Sequence, residues 1–225
     1  MSKKIYAFIF ARKHSVRLKN KNLQKIKNKT LVEHSIIVAK KIKKISKIFV
    51  SSDSPRILKI AKKNGVCSIK RPNYLCKSNS KEIYSWKHAV NFLKKRGDNF
   101  DYFISLPPTS PLRNVNDIKK LINKFERNKS DITLTVTRTN RYPFFNIVKR
   151  SKDGRVKIAE KKKKSYSKPN CFFDIATVGY ITRPKYILKT HDFFSGKVKS
   201  LEIPRERAID IDDTFDFKIA SILKK

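Results

Sequence analysis

Residues 5–22 read IYAFIFARKHSVRLKNKN, an apolar run of six that opens directly into a loop carrying Arg12, Lys13, Arg17, Lys19 and Lys21 and no glycine. A strand that is apolar at every position, not at every second one, has to be covered on both faces, as a parallel strand between two helical layers is. The carboxyl ends of such strands are where open α/β sheets bind ligands. Five cations at that spot either sit in water, as charge runs usually do, or meet an anion.

The same rhythm repeats downstream. LVEHSIIVAKKI places Leu31, Ile36, Ile37, Val38 and Ile42 as an amphipathic helix requires. KIFVSSDSP gives a strand ending at Ser51; Ser54 and Pro55 suit the N-cap and first position of a helix that leaves at Gly65. VCSIK, DYFISL and DITLTVT read as further strands, with a helix over SKEIYSWKHAVNFLKKRG stopping near Gly97 and another, NDIKKLINKF, begun by Asn116. The alternation predicts an α/β fold: Rossmann-like, doubly wound, mainly parallel, with right-handed crossovers. From Tyr142 the pattern changes, because PFFNIVKR and RVKIAE flank SKDG, a hairpin signal. Residues 140–172 are therefore expected to form a β-hairpin excursion suited to packing on a second subunit, within a single domain spanning residues 1–225. ATVGYI and VKSLEIP return as strands, and DDTFDFKIASIL closes as a helix with acids at its start.

A net charge of +37 raises nucleic acid as a partner. The lysines, however, are scattered through nearly every segment, and only KKKK at 161–164 forms a block. No nucleic-acid motif is present and aromatics do not interleave with the basic runs, so no nucleic acid is expected. Cys67, Cys76 and Cys171 make no C-x-x-C pair, and His14, His34, His88 and His191 lie far apart, which argues against a disulfide framework or zinc and for a cytoplasmic location. IYAFIF is too short for a signal-peptide core or a membrane span, so no membrane insertion is expected.

Chemistry gathers at the strand ends: Arg12, Ser15, Arg17, Lys21 and Asn22 after the first strand, Asp53 after the second, Arg71 after the third, and PPTSPLR at 107–113 after the fourth. Near the end, PRERAIDIDD carries Asp210 and Asp212, which in an extended segment point the same way with Cα atoms about 7 Å apart. Two such carboxylates either tolerate mild repulsion in water or share Mg²⁺, which favours carboxylates with phosphate oxygens and water. A cationic loop opposite paired acids describes a pocket for a nucleoside triphosphate. With no glycine between residues 11 and 22, side-chain charge must neutralise any phosphate there, so P-loop and dinucleotide-binding readings fail.

ARKHSVRLKNKN resembles the A-R-x-x-S-x-R-x-x-x-K-N motif of the cytidylyltransferases that make CMP-sialic acid and related CMP-nonulosonates. VSSD, RP at 71–72, PTSPLR at 108–113 and IDIDD at 209–213 follow in that family's order and approximate spacing. The resemblance implies that Arg12, Ser15 and Lys21 bind the CTP triphosphate, that Asn22 contacts the ribose and Arg71 the cytosine, and that Asp210 and Asp212 hold Mg²⁺. Arg12, Lys21 and Asp212 would then carry catalysis. It further implies that the anomeric 2-hydroxyl of a nine-carbon acid sugar attacks the α-phosphate of CTP, in a homodimeric enzyme, and that Phe193 and Phe194 line an acyl-group pocket beside Pro107 and Thr109. Departures lie mainly on the sugar side: Pro107 replaces a glutamine, Ser78 an aspartate, and Phe145 and Asn146 stand near an expected lysine. Val16 replaces a lysine in the phosphate loop. Nucleotide chemistry looks retained and sugar recognition altered. A CMP-Kdo synthetase, using an eight-carbon acid, is the nearest alternative, although its loop usually ends Lys-Pro where this one ends Lys21-Asn22. A basic nucleic-acid-binding protein and an inactive nucleotide-binding relative are the others.

Overall fold

The computed structural model describes residues 3–160 and 172–224. The lysine block at 161–164 and Cys171 lie outside the described residues. The apolar run forms β1 (Ile5–Phe10), and its alternate side chains enter two different layers. Ile5, Ala7 and Ile9 pack into one core. Tyr6 and Phe8 pack into the other, where Phe8 stacks on Phe103 at 4.2 Å. Both faces are covered, which explains the unbroken apolarity, and each such side chain stabilises the fold by roughly 1.5–3 kcal/mol.

After β1 come a two-residue hairpin, β2 (Lys25–Ile26) and β3 (Lys29–Thr30), then α1 (Leu31–Lys40), β4 (Ile45–Ser52), α2 (Pro55–Lys63), β5 (Cys67–Lys70), α3 (Glu82–Lys95), β6 (Tyr102–Ser105), α4 (Val115–Arg127) and β7 (Ile132–Arg138). The chain continues through the hairpin β8 (Val148–Arg150) and β9 (Val156–Ile158) to β10 (Phe173–Thr182), α5 (Pro184–Lys189), β11 (Val198–Glu202) and α6 (Thr214–Leu223). The main sheet has the order β11-β7-β10-β6-β1-β4-β5, with β1 paired in parallel to both β4 and β6. Helices α1, α2 and α4 cover one face; α3 and α5 cover the other. The doubly wound, mainly parallel expectation therefore holds. The hairpin expected around SKDG is present, with Gly154 at φ 88 in its turn.

Three details differ from the sequence reading. Helix α4 begins at Val115, not Asn116: Asn114 is its N-cap, accepting from the Asp117 N–H while the Asp117 carboxylate accepts from the Asn114 N–H. That reciprocal box needs the acid at the third helical position, which only Asn114 satisfies. Ser54 does occupy the N-cap of α2 but makes no side-chain cap bond. Strand β10 runs antiparallel to both β6 and β7. Its register shifts between Ala176 and Tyr180, and the buried Thr135 hydroxyl satisfies the backbone freed there, donating to the Gly179 carbonyl at 3.1 Å and accepting from its N–H at 3.0 Å. A Cβ on Gly179 would come within 2.9 Å of Leu121 Cδ2 on α4, so this bulge needs glycine. Bulges re-aim side chains, and this one carries Thr177 toward the loop after β6.

Asp98, just before β6, anchors β1 from below: it accepts the Tyr6 hydroxyl, Lys47 Nζ at 2.6 Å and Lys4 Nζ at 3.5 Å. Lys47 foremost, then Tyr6, hold its carboxyl below the ordinary 3.8. A depressed folded pKa gives stability that is complete above the unfolded value and lost as pH falls through the folded one. Asp98→Asn is therefore expected to lower the melting temperature at neutral pH, with the difference from wild type shrinking as pH drops below 3.8. A difference independent of pH would show that charge is not the cause.

Candidate active site

The basic loop is held by its own polar groups. Asn20 takes a left-handed conformation (φ 54) and leads into a tight turn at Lys21–Leu23. The buried Asn22 donates from Nδ2 to the Arg12 carbonyl at 3.0 Å and so cinches the loop. Its base is tied to β4 by the Ala11 N–H on the Ser51 carbonyl at 3.0 Å and the Lys13 N–H on Asp53 Oδ1 at 2.7 Å. A small third apolar cluster, Ile26, Leu31, Ile211 and Ala220 with Leu18 packed against it, brings the 209–212 segment against this loop.

That packing fixes the electrostatics. Ile211 is fully buried, its N–H donates to the Thr109 carbonyl at 2.8 Å, and its carbonyl accepts Lys21 Nζ at 2.6 Å. Lys21 Nζ also reaches Asp212 Oδ1 at 3.1 Å, while Arg17 holds Asp212 Oδ2 at 2.7 Å. On the other side of Ile211 lies Asp210, whose Oδ1 is buried with no hydrogen-bond partner among the described residues. Burial pushes the Asp210 carboxyl up, the Thr109 and Thr177 hydroxyls pull it back, and the Asp212 charge adds to the rise.

Arg71 is the third anchor. It is buried at the end of β5; NH1 donates to Ser85 Oγ at 3.1 Å, but Nε and NH2 have no partner among the described residues. A buried guanidinium with idle donors is costly unless something arrives to accept them. Arg12, Ser15, Lys21, Asn22 and Arg71 line one cleft of about 320 Å³ that Pro107, Thr109 and Thr177 close from across the sheet. A larger hollow of about 890 Å³, on the β8–β9 arm, contains none of these residues.

The structure does not bring every expected residue into that cleft. Phe193 stacks on Trp86 at 4.5 Å as part of the apolar core, and Phe194 is exposed, so neither lines it. Asp210 and Asp212 do not line it either: Asp212 is bonded to Lys21, while Asp210 lies against Thr109 and Thr177 and lines a separate hollow with Thr137, Asp174 and Asp216. Val16 is exposed, Ser78 lines the cleft, and Phe145 is exposed in the loop before β8. Sequence reasoning assigned no role to Arg113, which is buried and spans three elements: NH1 donates to Ser35 Oγ at 3.1 Å, and NH2 to the carbonyls of Pro107 and, at 3.3 Å, Thr177. Burial lowers its pKa to about 9, with the Asp210 and Asp117 charges pulling it back. It props the Pro107–Thr109 wall from behind. Thr177 was also missed, because its place depends on the β10 bulge; it meets Ser110 Oγ at 2.7 Å.

The residues present suit a hard divalent cation. Asp210 offers an orphaned carboxylate oxygen beside a second carboxylate. Among the described residues no group of three or more His, Cys, Asp or Glu side chains is placed for a metal. The protein would thus supply two oxygen ligands, and phosphate and water the rest, which is how Mg²⁺ is usually held.

A mainly parallel sheet whose first strand delivers cations to a cleft, answered by aspartates from the segment after its last strand, is the architecture of a nucleotidyltransferase. Solved structures agree on the fold: a CMP:2-keto-3-deoxy-manno-octonic acid synthetase complexed with CTP superposes with a TM-score of 0.73 at 14% identity, covering 98% of each chain. A 4-diphosphocytidyl-2C-methyl-D-erythritol synthase does so with a TM-score of 0.72 at 11% identity, covering 99% of this chain and 100% of that one. The sequence profile described as "Cytidylyltransferase" matches residues 6–196. The chain is 31% identical to the post-translational flagellin modification protein B of Campylobacter coli, over 98% of this chain and 95% of that one. It is 29% identical to the CMP-N,N'-diacetyllegionaminic acid synthase of Campylobacter jejuni, over 97% and 94%. The protein belongs to the cytidylyltransferase family. Among the described residues, no helix is long and apolar enough to cross a membrane.

Proposed function

We propose that the protein transfers CMP from CTP to the anomeric hydroxyl of a nonulosonic acid of the sialic or legionaminic type, releasing pyrophosphate. The observation that carries this reading is the convergence of Arg12, Ser15, Lys21, Asn22 and Arg71 on one cleft, with Asp212 bonded to Lys21 and Asp210 lying against Thr109 and Thr177. In the reaction the sugar oxygen bonds to the α-phosphorus as the bond to the β-phosphate oxygen breaks. Such chemistry is mainly positioning and charge neutralisation. Arg12 and Lys21 neutralise triphosphate oxygens, and the Ser15 hydroxyl donates to one. Asn22, its Nδ2 already committed to Arg12, keeps Oδ1 to accept a ribose hydroxyl. The idle Nε and NH2 of Arg71 donate to the acceptors of the base. Lys21 and Arg17, which neutralise Asp212 in the ligand-free protein, gain a competing anion when a triphosphate enters. Mg²⁺, held by Asp210 and Asp212, would supply further charge neutralisation and acidify the attacking hydroxyl.

The name of one relative, the CMP-N,N'-diacetyllegionaminic acid synthase, and the chemistry of Pro107 favour a diacylamino sugar. Proline offers neither a side-chain polar group nor an N–H, and its carbonyl is occupied by Arg113 and Ser35. A sugar group left unpaired there costs roughly 1–3 kcal/mol, or about tenfold to a hundredfold in preference. The test is to follow pyrophosphate with CTP, Mg²⁺ and a panel of nonulosonic acids plus Kdo. A legionaminic-type acid is expected to give a higher kcat/KM than N-acetylneuraminic acid, and Pro107→Gln to narrow the gap. Turnover with Kdo alone would establish the octonate reading instead. The cytoplasm is the expected location. A homodimer built through the 140–172 arm is supported by the apolar side chains of Ile147, Val148, Val156 and Ile158, all exposed in the single chain.

A further inference from the structure

At the start of α3, Glu82 opens onto the same cleft as Arg71. Its carboxylate is accessible from the cleft yet ringed by protein, and that burial pushes its pKa up; the Trp86 hydrogen bond and the Arg71 charge pull it back. Trp86, fully buried, donates its indole N–H to Glu82 Oε1 at 3.0 Å, so one oxygen is fixed and the group cannot swing freely. Arg71, meanwhile, has two buried donors with no partner. A ligand lying between these two groups meets idle donors on one side and, on the other, carboxyl oxygens of which one already accepts from Trp86.

We propose that Glu82 is a specificity-determining residue, whose carboxylate accepts an N–H of the substrate. This inference rests on the cytidylyltransferase reading and goes beyond it. The N–H has two possible sources. One is the exocyclic amine of cytosine, whose O2 and N3 acceptors would face Arg71; carboxylates accept from this amine in nucleic-acid recognition. Uracil carries a carbonyl oxygen at that position and would set lone pairs against lone pairs, which rejects it by repulsion as well as by a lost bond. The other is an acylamino group of the sugar, since Pro107 and Thr109, which the sugar reading places beside the acceptor, line the same cleft as Glu82.

Glu82→Gln separates the sources, because glutamine keeps the shape and can still accept from Trp86 while presenting an N–H₂ to the ligand. In one arm kcat/KM is compared for CTP and UTP with a fixed sugar. In the other it is compared for nonulosonic acids bearing an acylamino or a hydroxyl group at the same carbon with CTP fixed. The variant is expected to lose at least tenfold of the discrimination in one arm, and the arm affected names the source. Ratios unchanged in both arms, including a uniform slowing, would overturn the proposal and leave Glu82 a support for Trp86. Trp86 is the sole tryptophan and is hydrogen-bonded to Glu82, so a ligand that engages Glu82 is expected to change its emission. Titrating wild type and variant with CTP, UTP and the two sugars reads the same discrimination without turnover. Wild-type protein that binds CTP but releases no pyrophosphate with any sugar contradicts the proposed reaction; equal binding ratios in wild type and variant contradict the role of Glu82.

Discussion

Asp212→Asn is expected to lower CMP transfer by about a hundredfold to a thousandfold, the range seen when one charge-stabilising group is removed from a site of developing charge, while the thermal melt stays close to that of wild type. The two halves of that expectation have different causes. The Asp212 side chain is 41% exposed, and its partners Arg17 and Lys21 are 64% and 14% exposed. Surface-type ion pairs of this kind contribute only about 0–1 kcal/mol. The backbone around Asp212 is held independently: its N–H donates to Asp216 Oδ2 at 2.9 Å, and Asp213 caps α6. The amide keeps the size but loses the charge, so a divalent ion held there would lose a ligand, and Lys21 loses the anion that poises it in the free protein. Measuring kcat with CTP and an accepted sugar across a Mg²⁺ titration, beside a melting curve, checks both halves. Near-normal turnover at ordinary Mg²⁺ would remove Asp212 from the catalytic centre.

How far the sequence alone reaches is clearest in β1. IYAFIF announces its two buried faces because side-chain periodicity is a local property, and the α/β alternation follows from the same kind of signal. The basic loop, Arg71 and the two aspartates are legible because residue type and strand-end position coincide. What the sequence hides depends on contacts between distant segments. Strand β10 lies between β6 and β7 but reverses direction, and nothing in FDIATVGYIT encodes direction. Its bulge, and with it the placement of Thr177, depends on the Thr135 hydroxyl from a neighbouring strand. Arg113 looks like any loop arginine until Ser35, Pro107 and Thr177 are brought around it. Likewise the turn at Lys27 and Asn28, both at positive φ, has no glycine to mark it. Phe193 shows the converse: the family resemblance implies that it and Phe194 line an acyl-group pocket, whereas in the fold its ring stacks on Trp86.

Lys21→Ala is expected to lower kcat/KM for CTP by two or more orders of magnitude, and Lys13→Ala, eight residues earlier in the same loop, by less than about threefold, because only one of the two side chains is aimed at the cleft and charged groups act within a few ångströms in water. Lys21 is drawn inward by the Ile211 carbonyl at 2.6 Å and by Asp212 at 3.1 Å, and its side chain is 14% exposed. Lys13 is anchored to Asp53 through its backbone N–H, which leaves its exposed ammonium without a role in that contact. Truncating Lys21 removes a triphosphate contact and leaves Asp212 with Arg17 as its remaining cation. It also strands the Ile211 carbonyl, so a loss of stability of about 1 kcal/mol accompanies the kinetic effect. Lys21→Gln separates the two, since its neutral amide can donate to the Ile211 carbonyl without restoring charge. Activity should remain low in Lys21→Gln although its melting temperature recovers. If Lys13→Ala and Lys21→Ala had equally small effects on turnover, the ARKHSVRLKNKN loop would be a solvated basic surface, and the phosphate site would have to lie elsewhere.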